Sequence, residues 1–412
     1  MTLRLTFALA LLSSTLLAQG GPDPVETITA AEFLEHVTYL ASDELAGRDT
    51  GSDGERLARE YAVKRFRDLG LQGGGVDGSF EQAFPCDGVT GTNVIAKLPG
   101  TTDECVVIGA HYDHVGMGHF GSTWGEKGAG HIHNGADDNA SGTAAILEIA
   151  EAFAEGKVAP RRTILFMLFS GEERGLVGSK YFVENPTVPR ESIAAMINLD
   201  MVGRGVGVGR FIVLGARTSP VFPELVDEVN ARFGYDLDPL PFGFAPSDNN
   251  SFYEARIPVF FLTTGEHPQY HNPEDDVPLI NEENGAATAR FAFELGRRLA
   301  DLEERPPFQM AELVPKGWIE GLQYLAKEAL SGAHLGVTLG DGLTVASVVP
   351  GSAAEQAGIA AGDVLVSFDD VPLVSPDGLR SALRERSPGD HVTVVLHRGS
   401  TAVLLGVSLG KR

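Results

Sequence analysis

Five stretches of this chain carry residues of the kind that hold metal ions. His111 and Asp113 stand just beyond an apolar run at residues 106–109. Asp137 and Asp138 lie in GADDNASG, residues 135–142, ahead of an Ala/Ile/Leu helix pattern. Glu172 and Glu173 follow the apolar stretch 161–170, Asp200 ends IAAMINLD at 193–200, and Tyr270 and His271 open YHNPED. Imidazole and carboxylate suit Zn²⁺, and a carboxylate can bridge two ions roughly 3.5–4 Å apart. HxD alone is a weak signal. HxD joined to a second acidic motif at another strand–helix junction is much sharper. The plain alternatives are a solvated Gly/Asp loop at 135–142 and, for Glu172 and Glu173, a solvated helix start where acids favour the dipole.

Such residues converge only if the strands before them share one sheet. The runs at 105–108, 161–170, 193–200 and 258–262 read as continuously apolar strands of the kind buried on both faces. A strand near 211–214 and, earlier, strands at 80–84 and 93–97 join them. Helical patterns fall at 31–41, 55–69, 143–155, 221–233 and 283–303, with Thr29 as a cap of the first. Alternating strands and helices predict a three-layer αβα domain around a central mixed, mostly parallel sheet. Ligand-bearing loops at strand exits match where open α/β sheets place their sites.

The chain has 412 residues, 43% of them hydrophobic, and a net charge of −24. That length leaves room for two or three domains. So acidic a chain repels nucleic acid and anionic lipid, which excludes both as expected partners. Arg4, the apolar run 5–17 and Ala18 predict a secretory signal peptide over residues 1–18, hence a secreted or periplasmic protein. No later run is long enough for a membrane span. In an oxidising compartment Cys86 and Cys105 could pair; two free buried thiols are the competing reading. Glu304, Arg305, Pro306 and Pro307 mark a domain edge, and residues 318–330 a short helix in a linker spanning 304–332. From residue 333 to 412 short β runs separated by Gly/Pro/Asp turns predict a small β-rich domain.

The motifs GAHYDHVG, GADDNASGTAA, SGEERGLVGS, INLDMVGR and YHNPEDD, in this order, resemble the secreted zinc aminopeptidases of peptidase family M28. The resemblance covers residues from about 30 to 300 and places that domain at 19–303. It implies two zinc ions: His111 with Asp200 on one, Glu173 with His271 on the other, and Asp137 bridging both. It implies Glu172 as general base, peptide substrates, and a cis peptide between Asp137 and Asp138. Asp113 would orient His111 through its other ring nitrogen. Tyr270 matches a position where some relatives polarise the scissile carbonyl with a phenol; a core tyrosine is the alternative. His114, His119, His131 and His133 are expected to be solvated, with His131 or His133 near a substrate entrance. At Ser247, Asp248 and Asn249 the chain departs from the commoner form, which has His where Asn249 stands.

Residues 333–412 resemble a bacterial PDZ domain through LGV and VVPGSAAEQAGIAAGDVLVSFDD. There Leu335, Gly336 and Val337 would cradle a peptide C-terminus. Two other functions remain open at this stage: a catalytically inactive peptide-binding scaffold, and a glutaminyl-cyclase-like enzyme with one zinc.

Overall fold

The computed structural model describes residues 23–240, 246–311 and 333–411, apart from 341, 370, 375–377, 380, 381, 384, 385, 387, 388 and 400. The expected signal peptide and the helix at 318–330 lie outside them. Nine strands form the larger sheet: β1 (Gln72–Gly73), β2 (Glu81–Cys86), β3 (Val89–Leu98), β4 (Cys105–His111), β5 (Thr163–Phe169), β6 (Ile193–Leu199), β7 (Arg210–Leu214), β8 (Asp236–Pro239) and β9 (Val259–Thr263). Their order is β1-β3-β5-β4-β6-β9-β7-β8, with β2 on β3. Pairing is parallel through β5, β4, β6 and β9 and again between β7 and β8. It is antiparallel where β1, β2 and β5 meet β3 and where β7 meets β9. The sheet is mixed, as expected. The parallel run β5-β4-β6-β9 lies at the centre, where helices cover both faces.

Successive side chains of β4 face opposite layers, the period of a strand. Val106, Ile108 and Ala110 join the large core beneath α1 (Ala30–Leu40), α2 (Asp53–Asp68), α3 (Gly142–Glu155), α5 (Phe222–Phe233) and α7 (Glu282–Asp301). Cys105 and Val107 join the smaller core on the other face, with Phe182 of α4 (Val177–Glu184) and Phe252 of α6 (Asn249–Glu254). This is a three-layer sandwich. Thr29 caps α1, its side chain accepting from the Glu32 N–H, which fixes where that helix begins. The strand β8 and the helix α6 were not legible as separate elements, being four and six residues long.

Cys86 and Cys105 are free and buried, so the unpaired reading holds. The C-terminal module has its own core, built on Leu335, Val345, Leu365, Val394 and Leu396. Its strands are β10 (Ala333–His334), β11 (Val337–Leu339), β12 (Val345–Val348), β13 (Val364–Phe368), β14 (Val371–Pro372), β15 (His391–Arg398), β16 (Thr401–Ser408) and β17 (Gly410–Lys411). No described helix is long and apolar enough to cross a membrane.

Candidate metal centre

Each candidate ligand lies at or beyond the carboxyl end of a central strand. His111 is the last residue of β4, Glu172 and Glu173 follow β5, Asp200 follows β6, and His271 lies beyond β9. Parallel strands deliver all their carboxyl ends to one edge of the sheet, so residues 160 positions apart meet there.

Two groups of ligand atoms result: His111, Asp138 and Asp200; and His114, Asp138, Glu173 and His271. His111 Nε2 is 3.3 Å from Asp138 Oδ1 and 3.4 Å from Asp200 Oδ1. His271 Nε2 is 3.0 Å from Asp138 Oδ2 and 2.9 Å from Glu173 Oε2. Asp138 is common to both groups, one oxygen to each.

Asp138, not Asp137, is therefore the carboxylate shared by the two groups, which corrects the sequence expectation. Asp137 is in neither group: its Oδ1 accepts from the Gly203 N–H at 2.6 Å and its Oδ2 faces His267 Nε2 at 3.4 Å. The main-chain N–H groups of both residues donate to Asp275 Oδ2 at 3.0 Å. With the backbone pinned at both, two adjacent carboxylates project to different sides. The cis peptide likewise joins Asp138 to Asn139, one residue beyond the expected bond.

Both imidazoles have their second nitrogen engaged, which fixes the tautomer. His271 Nδ1 donates to the Gly121 carbonyl at 3.0 Å and His111 Nδ1 to the Asp113 carbonyl at 3.2 Å. Nε2 of each points toward the carboxylates and is the nitrogen a metal would take once its proton is displaced. The Asp113 carboxylate is farther from His111, at 3.8 Å. It accepts instead from Thr50 Oγ1 at 2.9 Å and from the Glu172 N–H at 3.2 Å. Asp113 thus orients the Glu172 loop as much as the histidine.

The electrostatics are those of a buried cation site. Burial opposes charge on His271, but Glu173 and Asp138 outweigh it and push the imidazole up to about 12. Burial would raise Asp138, yet the imidazoles of His111 and His271 hold it well below the usual carboxylate range. Protons on the imidazoles balance the carboxylates, and a divalent cation entering would displace them. Asp138 Oδ2 and Asp200 Oδ1 are buried with no hydrogen-bond partner. Orphaned acceptors between imidazoles, in a set of nitrogen and oxygen donors, fit zinc.

Beside them, burial together with Glu173, Asp200 and Asp248 pushes Glu172 well above its ordinary range, against the pull of His111. Burial, then the charges of Asp138 and Glu173, raise the Tyr270 phenol, so it stays protonated. Its ring stacks on His271 with centroids 3.8 Å apart.

Residues 93–295 match the model of peptidase family M28, and residues 310–409 that of the PDZ domain. The chain carries an M28 peptidase domain. Leupeptin-inactivating enzyme 1 of Streptomyces exfoliatus is 30% identical over 261 residues, 63% of this chain and 53% of that protein. Leucine aminopeptidase 1 of Neurospora crassa is 28% identical over 297 residues, 66% of this chain and 69% of that protein. The chain thus spans between half and about two thirds of the length of these relatives. An aminopeptidase from Aneurinibacillus sp. strain AM-1 superposes with a TM-score of 0.54 at 17% identity, over 72% of this chain and 98% of that one. Glutaminyl cyclase of Porphyromonas gingivalis superposes at 0.56 with 20% identity, over 65% and 97%. These likenesses show the fold, which the two activities share.

The structure also places further residues around the M28 domain's site. His114 and His133 are buried, contrary to the expectation that all four loop histidines are solvated; His119 and His131 are exposed. His133 bonds Ser122 Oγ at 2.9 Å through Nε2. Arg48 is fully buried and donates to the carbonyls of Leu40, Tyr112, Asn134 and Gly135. Asp248 is buried with both carboxylate oxygens unpartnered. Only the spacing of His111, Asp113 and His114 was a signal; a lone Arg in SDELAGRDTG was none.

Proposed function

We propose that the chain is a dizinc aminopeptidase that hydrolyses N-terminal residues from peptides. The observation that carries this reading is the sharing of Asp138 between two ligand groups, each with its own histidine and its own second carboxylate. His111 with Asp200 would hold one zinc, Glu173 with His271 the other, and Asp138 both. Zinc bound there supplies Lewis acidity and makes a nucleophile of water near neutral pH.

The protein's part is positioning and proton transfer. Glu172 takes the proton from the attacking water and returns it to the leaving amine. Its raised proton affinity suits a group that must do both near neutrality. Asp113 fixes the Glu172 main chain. The protonated Tyr270 phenol would donate to the carbonyl oxygen as charge develops on it.

The retained pair His111 and Asp200 favours two ions over the single zinc of a cyclase-like enzyme, and the full set with Glu172 speaks against an inactive scaffold. In the PDZ domain, β11 pairs only with β12 among the described residues. Its other edge suits a peptide added as a strand, with the carboxylate at Leu335, Gly336 and Val337. Residues 1–18 are read as an export signal and 304–332 as the linker between the two domains.

The deciding experiment is a panel of aminoacyl-anilides with purified protein, with and without chelator, alongside zinc counted per chain. Glu172→Gln should lower kcat by about 10²–10⁴-fold with both ions retained. Turnover equal to wild type would overturn the base assignment, and one zinc per chain would favour the cyclase-like reading.

A further inference from the structure

His114 lies in the second ligand group but carries no part in the proposed reaction, and it is completely buried against Glu173. Its Nδ1 lies 2.7 Å from Glu173 Oε1, while the other carboxylate oxygen, Oε2, faces His271 Nε2 at 2.9 Å. The two histidines therefore take different oxygens of one carboxylate. Glu173 is an acceptor, so Nδ1 of His114 carries the proton. Nε2 is buried with no partner. His114 Nδ1 is 3.9 Å from Asp138 Oδ2, against 3.0 Å for His271 Nε2. It sits off the face that His271 and Asp138 share.

The ring cannot easily turn away. It meets the His271 ring edge-on, with centroids 5.4 Å apart. Behind it lies Gly135, whose φ is +56°; a Cβ there would come within 2.5 Å of His114 Cδ2. Glycine is thus required twice over, by backbone conformation and by the imidazole packed on it. The His114 N–H also donates to the Arg48 carbonyl at 3.3 Å.

We propose that His114 is a positioning residue that holds Glu173 Oε1 and so presents Oε2 alone to the ion at the His271 site. This rests on the metal reading above and adds to it. Without the bond, Glu173 could rotate or offer both oxygens. The His271 site would then lose affinity and the His111 site would not. A bond of this kind to a ligand is typically worth about 10–100-fold in metal affinity.

The test is zinc binding by the full chain, measured by competition with a chromophoric chelator. His114→Leu removes the donor; His114→Asn keeps an N–H at the reach of Nδ1. His271→Ala, alone and combined with His114→Leu, identifies which binding event belongs to which site. The expected result is two events in the wild type. The one abolished by His271→Ala should be weakened about 10–100-fold in His114→Leu and restored to within about threefold in His114→Asn. Unchanged affinity in His114→Leu overturns the proposal, as does equal weakening of both events. Loss in His114→Asn as complete as in His114→Leu also overturns it and makes His114 a ligand. A wild type that binds no zinc overturns the metal reading itself, a separate and distinguishable failure.

Discussion

Arg48→Met should strip the M28 domain of the clamp that joins the two loops carrying His111 and Asp138. The guanidinium spans the carbonyl of Tyr112, directly after His111, and those of Asn134 and Gly135, just before Asp138. A fourth bond reaches the Leu40 carbonyl at the end of α1. Burial lowers its pKa to about 10, against the pull of Asp138 and Asp113, so it remains a cation at neutral pH. Methionine fills similar space but loses four hydrogen bonds and leaves the carbonyls of Leu40, Tyr112 and Asn134 without a donor, Gly135 keeping the Ala140 N–H. At about 1 kcal/mol each the loss is about 4 kcal/mol. For a domain of this size that is a fall in Tm of about 8–16 °C. Lysine keeps the charge but not the fork, and should recover only part of the loss. Scanning calorimetry of the full chain reads this directly, the M28 transition being the one that chelator moves. If Arg48→Met melts within about 3 °C of wild type and binds zinc as tightly, the clamp argument is wrong.

Two further outcomes follow from the same geometry. Asp138→Asn should abolish binding of both proposed zinc ions, whereas Asp137→Asn should keep both, because Asp137 accepts from the Gly203 N–H and belongs to neither ligand group; metal content after dialysis decides between them. Glu294 offers a pH test away from the site. Burial opposes its ionisation, but Arg297 and Arg298 outweigh burial and hold it below the ordinary value of 4.5. A depressed folded pKa gives stability that is present above the unfolded value and lost as pH falls through the folded one. Wild type should therefore exceed Glu294→Gln by about 1 kcal/mol at pH 7, the ion pairs being partly screened. The gap should shrink as pH falls below 4.5 and close once the folded carboxylate is itself protonated. A gap that is independent of pH in denaturant titrations would remove the ion pairs from the account.

The sequence by itself determined the layers and the sheet edge on which chemistry sits. Apolar runs at 105–108, 161–170 and 193–200 must be buried on both faces, and polar residues at their exits must then share an edge. The structure does bring His111, Glu173, Asp200 and His271 to that edge. Sequence could not separate Asp137 from Asp138, because two adjacent acids in one loop are alike until the backbone fixes which way each points. That decision came from Asp275, which grips the two amides from 138 and 137 residues away. Nor could sequence tell His114 from its exposed neighbours His119 and His131. Burial of a loop histidine depends on what packs over it, here Gly135, Glu173 and His271, and those contacts exist only once distant strands have been laid side by side.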